Sequence, residues 1–166
     1  MKLSLISIGL CAVAGVLAQS GNELGDIFNG IRSHPDGLVK AGEDGILRSF
    51  DGEGRVIDFV RLDSGHLMTL AGLFGGQKKE LINIWQNVNS SEVTEDQIWS
   101  PPSNMLPAKS SDPEQTPVHQ NDLRAERDCP EYHCPNTAYC RRVGCMLCAQ
   151  PPYVPSYAQS HCLGIE

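Results

Sequence analysis

The sequence has few basic residues and no apolar run long enough to cross a membrane. Lys and Arg number 13 against 20 Asp and Glu, which gives a formal net charge of -7. Because nucleic-acid affinity comes mainly from basic side chains that neutralise phosphates, this balance argues against a DNA- or RNA-binding role. The longest apolar stretch ends at Leu17, and it is shorter than the roughly twenty residues that a transmembrane helix needs. A chain of 166 residues holds one domain, or one small domain and a satellite.

Local catalytic motifs are also missing. The chain has no G-x-S-x-G elbow, no H-E-x-x-H helix and no glycine-rich phosphate loop. Its five histidines are scattered along the chain, at positions 34, 66, 119, 133 and 161. We therefore expect a protein that is not an enzyme and that has no catalytic residue and no cofactor.

The N-terminus has the parts of a secretory signal peptide. Lys2 supplies a positive charge, residues 3–17 are almost wholly apolar or small, and Val16-Leu17-Ala18 fits the site that signal peptidase accepts. The pattern predicts a signal peptide over residues 1–18 and a mature chain that starts at Gln19. We expect this mature chain, without Cys11, to be secreted to the oxidising extracellular space.

The six remaining cysteines all lie in the tail at residues 129–166. They are Cys129, Cys134, Cys140, Cys145, Cys148 and Cys162. The tail is poor in aliphatic residues, so it cannot bury enough apolar surface to fold unaided, and disulfides are the usual remedy in secreted chains. We predict three disulfides within the tail, and the spacing leaves their connectivity open.

Two segments imitate metal sites. Cys145 and Cys148 have a zinc-knuckle spacing, and His133 and His161 each stand beside a cysteine. Because exported thiols are usually oxidised, we favour disulfides over zinc. Residues 49–60 match the middle of a calcium-binding EF-hand loop but lack the acids that its first and last positions require. We therefore predict a hairpin turn there and no metal site in the chain.

Composition divides the mature chain into three parts. All Phe and Trp residues precede position 100, and all Tyr residues follow it. Residues 100–128 hold five prolines and no aromatic residue, so we expect a disordered, Pro-rich linker. The predicted organisation is a small module at 19–99, a linker at 100–128 and a disulfide-stapled tail at 129–166.

The patterns in the module predict a short β-meander followed by two helices, so the predicted fold class is α+β. Asp-Gly pairs at 36–37, 44–45 and 51–52 are turn signals, and they separate strand candidates at 38–40, 46–50 and 56–60. Asp63 or Ser64 is suited to cap a helix that ends at Gly75-Gly76. Apolar residues at helical spacing predict a second helix over 78–88.

Several residues are candidates for binding or modification. Tyrosine and arginine are enriched at binding hot spots, and the tail holds every tyrosine and two adjacent arginines. The predicted contact residues are Tyr132, Tyr139, Arg141, Arg142, Tyr153 and Tyr157. Asn89-Ser90-Ser91 is an N-glycosylation sequon after the second predicted helix, so we expect Asn89 on the surface.

The arrangement resembles the small secreted cysteine-rich proteins of filamentous fungi, which include candidate effectors. The resemblance is carried by the signal peptide, by D-G-I-L-R-S-F-D-G-E-G-R-V-I-D-F at 44–59, and by C-P-E-Y-H-C-P-N-T-A-Y-C-R-R-V-G-C-M-L-C at 129–148. This class is defined by layout, so it transfers no catalytic residues. It implies extracellular action by binding to a protein or a glycan.

Three functions fit these features. The first is a secreted, effector-like interaction protein that binds an extracellular protein or glycan. The second is a carbohydrate-binding tail, because the tyrosine rings are suited to stack on sugars. The third is a precursor whose tail is released by cleavage after Arg127 as a toxin or an antimicrobial peptide.

We expect the secreted protein to start at Gln19 and to contain no free thiol, because six cysteines remain after cleavage. Intact-mass measurement with and without reductant reports both the N-terminus and the number of disulfides. Thiol labelling of the denatured, unreduced protein should find nothing. Two or more reactive thiols per chain would contradict the disulfide prediction and favour zinc.

Overall fold

The structure is a computed structural model that describes residues 20–107, 129, 132–152 and 160–164. It confirms the predicted α+β class, with helices and strands in one chain. The helices are α1 Ser20–Gly30, α2 Ser64–Leu73, α3 Lys78–Trp85, α4 Glu95–Trp99 and α5 Thr137–Arg142. The strands are β1 Leu38–Ala41, β2 Ile46–Phe50, β3 Val56–Arg61, β4 Leu147–Gln150 and β5 His161–Leu163.

All of these strands form one five-stranded sheet with the order β3-β2-β1-β4-β5. The first three strands are an antiparallel meander, as the Asp-Gly turns predicted. Strand β4 pairs with β1 in parallel, with Val39 opposite Ala149, and β5 pairs antiparallel with β4. The tail therefore completes the sheet of the N-terminal module, a connection that the sequence patterns did not predict.

The two predicted helices are present as α2 and α3, and two further helices precede the tail. Asp63 caps α2, where its carboxylate accepts a hydrogen bond from His66 N. Helix α4 was missed, although Thr94 and Gln97 form a capping box at its start. In the described ranges, no helix has both the length and the apolar character needed to cross a membrane.

The larger apolar core lies between one face of the sheet and helices α1 to α3. Alternate strand residues point to this face because side chains along a strand alternate between the two sides of the sheet. The buried members include Leu24, Phe28, Val39, Leu47, Leu67, Leu70, Leu81, Trp85, Leu147, Ala149 and Leu163. Trp85 is fully buried, and its Nε1 donates a hydrogen bond to the carbonyl oxygen of Gly42 at 3.0 Å.

The other face of the sheet carries a buried pair of cations. Lys40 and Arg48 lie opposite each other on β1 and β2, and both are buried. Arg48 forms an ion pair with Asp44 at 2.6 Å and donates from Nε to the carbonyl of Ile98 at 3.0 Å. Lys40 Nζ donates to the carbonyl of Leu106 at 2.8 Å, and its burial lowers the pKa of its amine, an effect that nearby Glu43 opposes.

The contacts of Lys40 hold the first residues of the predicted linker against the sheet. Residues 101–107 include a short 3-10 helix, Ser103–Met105, and the carbonyls of Asn104 and Leu106 accept from Lys40. They therefore lie against the sheet, where an extended, solvated segment was expected. The rest of the predicted linker, 108–128, lies outside the described residues.

The segment that imitates an EF-hand forms the predicted hairpin turn between β2 and β3. The Asp51 carboxylate accepts hydrogen bonds from Arg55 N at 2.9 Å and from Glu53 N at 3.0 Å. These bonds, with that from Arg55 N the strongest influence, hold the pKa of the Asp51 carboxyl below its usual range. The Asp51 carboxylate is therefore occupied by hydrogen bonds within its own turn.

We expect Trp85→Ala to lower the free energy of unfolding by about 3–5 kcal/mol, because it empties a large buried site. The matched control is Trp99→Ala, because Trp99 is 43% exposed. That change should cost about 1 kcal/mol, the value of its edge-to-face contact with Phe59. Urea unfolding followed by circular dichroism measures both variants, and equal losses would contradict the described core.

Candidate binding surface

The tail is held by three disulfides, as predicted. They join Cys129 to Cys145, Cys134 to Cys148 and Cys140 to Cys162. In chain order, the first cysteine pairs with the fourth, the second with the fifth and the third with the sixth. The closed loops interleave, so that α5 is linked to β5 and β4 is linked to the segment that precedes α5.

The disulfides form the centre of a second apolar cluster. The six cysteines pack with Tyr139 and with Leu38, which belongs to β1 of the N-terminal module. Leu38 points to the face of the sheet opposite the larger core, because side chains alternate along a strand. The tail core is thus built from disulfides, one aromatic ring and a side chain that the module supplies.

Helix α5 also contacts the loop before β1 through its backbone. Thr137 N donates to the carbonyl of Gly37 at 2.8 Å, and Ala138 N donates to the carbonyl of Pro35 at 2.8 Å. A side chain at Gly37 would place its Cβ at 1.9 Å from the carbonyl oxygen of Phe50, so only glycine fits there. The module therefore satisfies the first two orphan N–H groups of α5, and the N-cap Asn136 accepts from the third, that of Tyr139.

The structure separates the predicted contact residues. Tyr139 is only 8% exposed and packs among the disulfides, which corrects its prediction as a contact residue. Arg141 and Arg142 are exposed at the end of α5. Arg141 Nη2 donates to Ser33 Oγ at 2.9 Å, and the Arg142 guanidinium lies 5.7 Å from the centre of the Tyr139 ring. The buried tyrosine thus orients one exposed cation.

The other predicted tyrosines lie elsewhere. Tyr132 is 36% exposed, on a short extended segment beside β5. Tyr153 and Tyr157 lie outside the described residues. The exposed contact candidates within the described part of the tail are Tyr132, Arg141 and Arg142, which we call the tail surface.

A histidine pair at the β5 edge was missed as a pair by the sequence analysis. His133 and His161 are joined by an antiparallel β-bridge. Cys134 N donates to the carbonyl of Ser160 at 2.9 Å, and Cys162 N donates to that of Tyr132 at 2.8 Å. This pattern makes the two histidines a non-hydrogen-bonded pair, the arrangement with the closest side chains. Their ring centres are 4.5 Å apart.

The environment of His133 lowers the pKa of its ring. Partial burial lowers the pKa of His133, and the neighbouring His161 lowers this pKa further, while an interaction with the Ser160 backbone acts in the opposite direction. His133 is nevertheless exposed at its outer side. The neutral form of this imidazole is therefore favoured in the folded protein.

The sequon lies on the surface, on the module. Asn89 is exposed and begins a 3-10 helix, Ser90–Glu92. Its Nδ2 donates to Glu92 Oε1 at 2.8 Å, and its Oδ1 accepts from Ser91 N at 3.2 Å. Ser91, which supplies the sequon hydroxyl, is also exposed. The Asn89 side chain is thus exposed, with both of its polar atoms hydrogen-bonded within the turn.

The fold and the tail define a small α+β protein whose sheet is completed by a segment with three interleaved disulfides. No family model matches this chain, and no solved structure matches it. The chain is 31% identical over 154 residues to the "Lactobacillus up-regulated protein" of Emericella nidulans, and the match covers 89% of this chain and 88% of the relative. It belongs to the same family as that protein.

We expect His133 to titrate at a lower pH in the folded protein than in the urea-unfolded protein, because burial and His161 disfavour its charged form. With the folded pKa lowered, this group adds stability above its unfolded pKa, and the contribution is lost as the pH falls below that value. Histidine NMR titrations in both states measure the shift. A folded-state pKa equal to or above the unfolded one would contradict the described environment.

Proposed function

We propose that the protein is secreted and acts outside the cell by binding a partner, without catalysing a reaction. The observation that carries this proposal is the set of three interleaved disulfides, which anchors the elements that carry Tyr132, Arg141 and Arg142, namely helix α5 and the segment beside β5. Disulfides of this density are typical of small secreted domains. The signal peptide predicted over residues 1–18 and the accessible sequon at Asn89 support the same destination.

Rigidity favours a binding role. A residue that is already ordered loses little conformational entropy on association, so its contacts contribute more of their energy to affinity. Arg142 is held over the Tyr139 ring, and Arg141 is tied to Ser33. These contacts pre-orient two neighbouring guanidinium groups at the end of a helix that disulfide Cys140–Cys162 anchors.

The chemistry of the tail surface favours an anionic partner. The guanidinium of arginine matches carboxylate and phosphate groups, which it binds through two parallel hydrogen bonds. The relative's name connects that fungal protein with Lactobacillus. We therefore propose anionic groups on a bacterial surface as the first partner to test. In this view, the protein acts between a fungus and a bacterium, as an effector-like secreted protein.

The shared sheet favours a function of the whole chain over release of the tail. Strand β4 pairs with β1, and α5 donates hydrogen bonds to Gly37 and Pro35. Cleavage after Arg127 would not free the tail from these contacts. The carbohydrate alternative is weakened because the Tyr139 ring is buried and a buried ring cannot stack on a sugar.

The test compares Arg141→Gln/Arg142→Gln with Lys78→Gln/Lys79→Gln, which removes the same charge from two exposed lysines of α3. The full mature protein is incubated with Lactobacillus cells, with isolated bacterial wall and with chitin, and the bound fraction is measured. We expect the arginine variant to bind bacterial wall about tenfold or more weakly, in line with the loss of a hot spot.

The lysine variant should bind almost as the wild type does. Equal losses in both variants would show that net charge decides binding and would contradict the assignment to the tail surface. Selective retention by chitin, lost in Tyr132→Ala and kept in Trp99→Ala, would favour the carbohydrate function. Turnover of any wall component would contradict the non-enzymatic proposal.

A further inference from the structure

The backbone pairing at the β5 edge brings the rings of His133 and His161 together. Two imidazoles lie side by side on adjacent extended segments, with ring centres 4.5 Å apart and ring planes inclined by 53°. We propose that His133 and His161 together bind one divalent transition-metal ion of the kind that prefers imidazole, with copper(II) bound more tightly than zinc. This inference is independent of the proposed binding to a bacterial surface.

The ring separation fits a shared ion. With metal–nitrogen bonds of about 2.0–2.1 Å, two imidazoles on one ion have their ring centres roughly 4.5 to 5.2 Å apart, for nitrogen–metal–nitrogen angles between a right angle and a tetrahedral one. The observed separation of 4.5 Å lies at the lower end of this range. Chelation then needs one nitrogen of each ring to face the ion, which rotation of the two side chains can bring about while the backbone pairing of His133 with His161 is kept.

The backbone at both histidines is pinned by disulfides. His133 directly precedes Cys134, which is bonded to Cys148 on β4, and His161 directly precedes Cys162, which is bonded to Cys140 on α5. Two hydrogen bonds flank the pair, Cys134 N to Ser160 O and Cys162 N to Tyr132 O. A site held in this way loses little entropy when both ligands engage one ion.

The neighbouring sulfur atoms do not compete for the ion. The Sγ atoms of Cys134, Cys140 and Cys148 lie within 4.8 Å of one another, which by spacing alone would resemble a thiolate site. All three belong to disulfides, so they are not thiolates and cannot bind an ion. Imidazole prefers copper and zinc among the common divalent ions, and the affinity order places copper(II) first.

The surroundings leave the site reachable and its rings oriented. His133 is exposed, so an ion can enter from solvent without opening the fold. A metal-binding histidine normally uses its second ring nitrogen for a hydrogen bond that fixes the ring, and the interaction of His133 with the Ser160 backbone is suited to this role. Two protein ligands leave other positions of the ion open to water or to a ligand from a partner.

The test titrates Cu²⁺ alone, and Zn²⁺ alone in a parallel series, into the mature full-length protein in competition with a chromophoric chelator. His133→Gln and His161→Gln are the test variants, and His34→Gln is the matched control because His34 is exposed and stands on the loop before β1. We expect wild type and His34→Gln to bind one equivalent, with Cu²⁺ tighter than Zn²⁺. Each test variant should lose affinity by at least about tenfold, the lower end of what even an outer-shell change costs.

A second readout locates the ion. Cu²⁺ should broaden, and Zn²⁺ should shift, the imidazole NMR signals of His133 and His161 before those of His34, and a chelator should restore them. Ca²⁺, which prefers oxygen ligands, should leave the signals unchanged. An unchanged disulfide count and circular dichroism spectrum verify that the variants fold.

Three results would overturn the proposal. They are an absence of binding by the wild type, equal affinity of His133→Gln and the wild type, and an equal loss of affinity in His34→Gln.

Discussion

The parallel pairing of β1 with β4 joins the N-terminal module to the tail, and both the core and the tail surface depend on it. Parallel strands need a long crossover connection. Here the connection between β1 and β4 contains β2, β3, helices α2 to α5 and the residues between them. Closing such a connection costs conformational entropy, which grows slowly with its length. The interleaved disulfides favour the folded tail, because they restrict its unfolded state, tie β4 to the segment at Cys134 and tie α5 to β5. The sheet then buries Leu147, Ala149 and Leu163 of the tail in the core of the module.

This constraint also determines what the tail can present to a partner. Because β1 supplies Leu38 to the disulfide cluster, the tail takes part of its apolar core from the module. Tyr139 is buried, the Arg142 guanidinium lies over its ring, and Arg141 donates a hydrogen bond to Ser33 of the module. On the far edge, the same disulfides hold His133 beside His161. The arginine pair and the histidine pair are thus two rigid surface features with different chemistry.

Local features of the fold were predictable from the sequence, and features that need distant contacts were not. The Asp-Gly turn at Asp51 and the helical spacing of Leu81 and Trp85 are patterns of a few residues, so they predicted the hairpin and α3. Strand β4 has four residues inside a cysteine-rich stretch, and nothing local marks its pairing with β1. Cysteine spacing does not encode connectivity. Tyr139 was predicted on the surface because nothing in the sequence indicates that Leu38 completes a core around it. The histidine pair was missed because it depends on a β-bridge between two separate segments.

The most direct test of this account asks whether the tail and the module unfold as one unit. In a Trp99→Phe background, Trp85 is the only tryptophan, and its fluorescence reports the core on the helical face of the sheet. Replacing Cys140 and Cys162 by serine removes the bond between α5 and β5, far along the chain from Trp85. If β1 and β4 unite the structure, urea unfolding followed at Trp85 should remain a single transition, and its free energy should fall by about 3 kcal/mol, the value of a disulfide that closes a loop of this size. A Trp85 transition that does not move, while the tail becomes labile, would show that the module folds independently and would contradict the account.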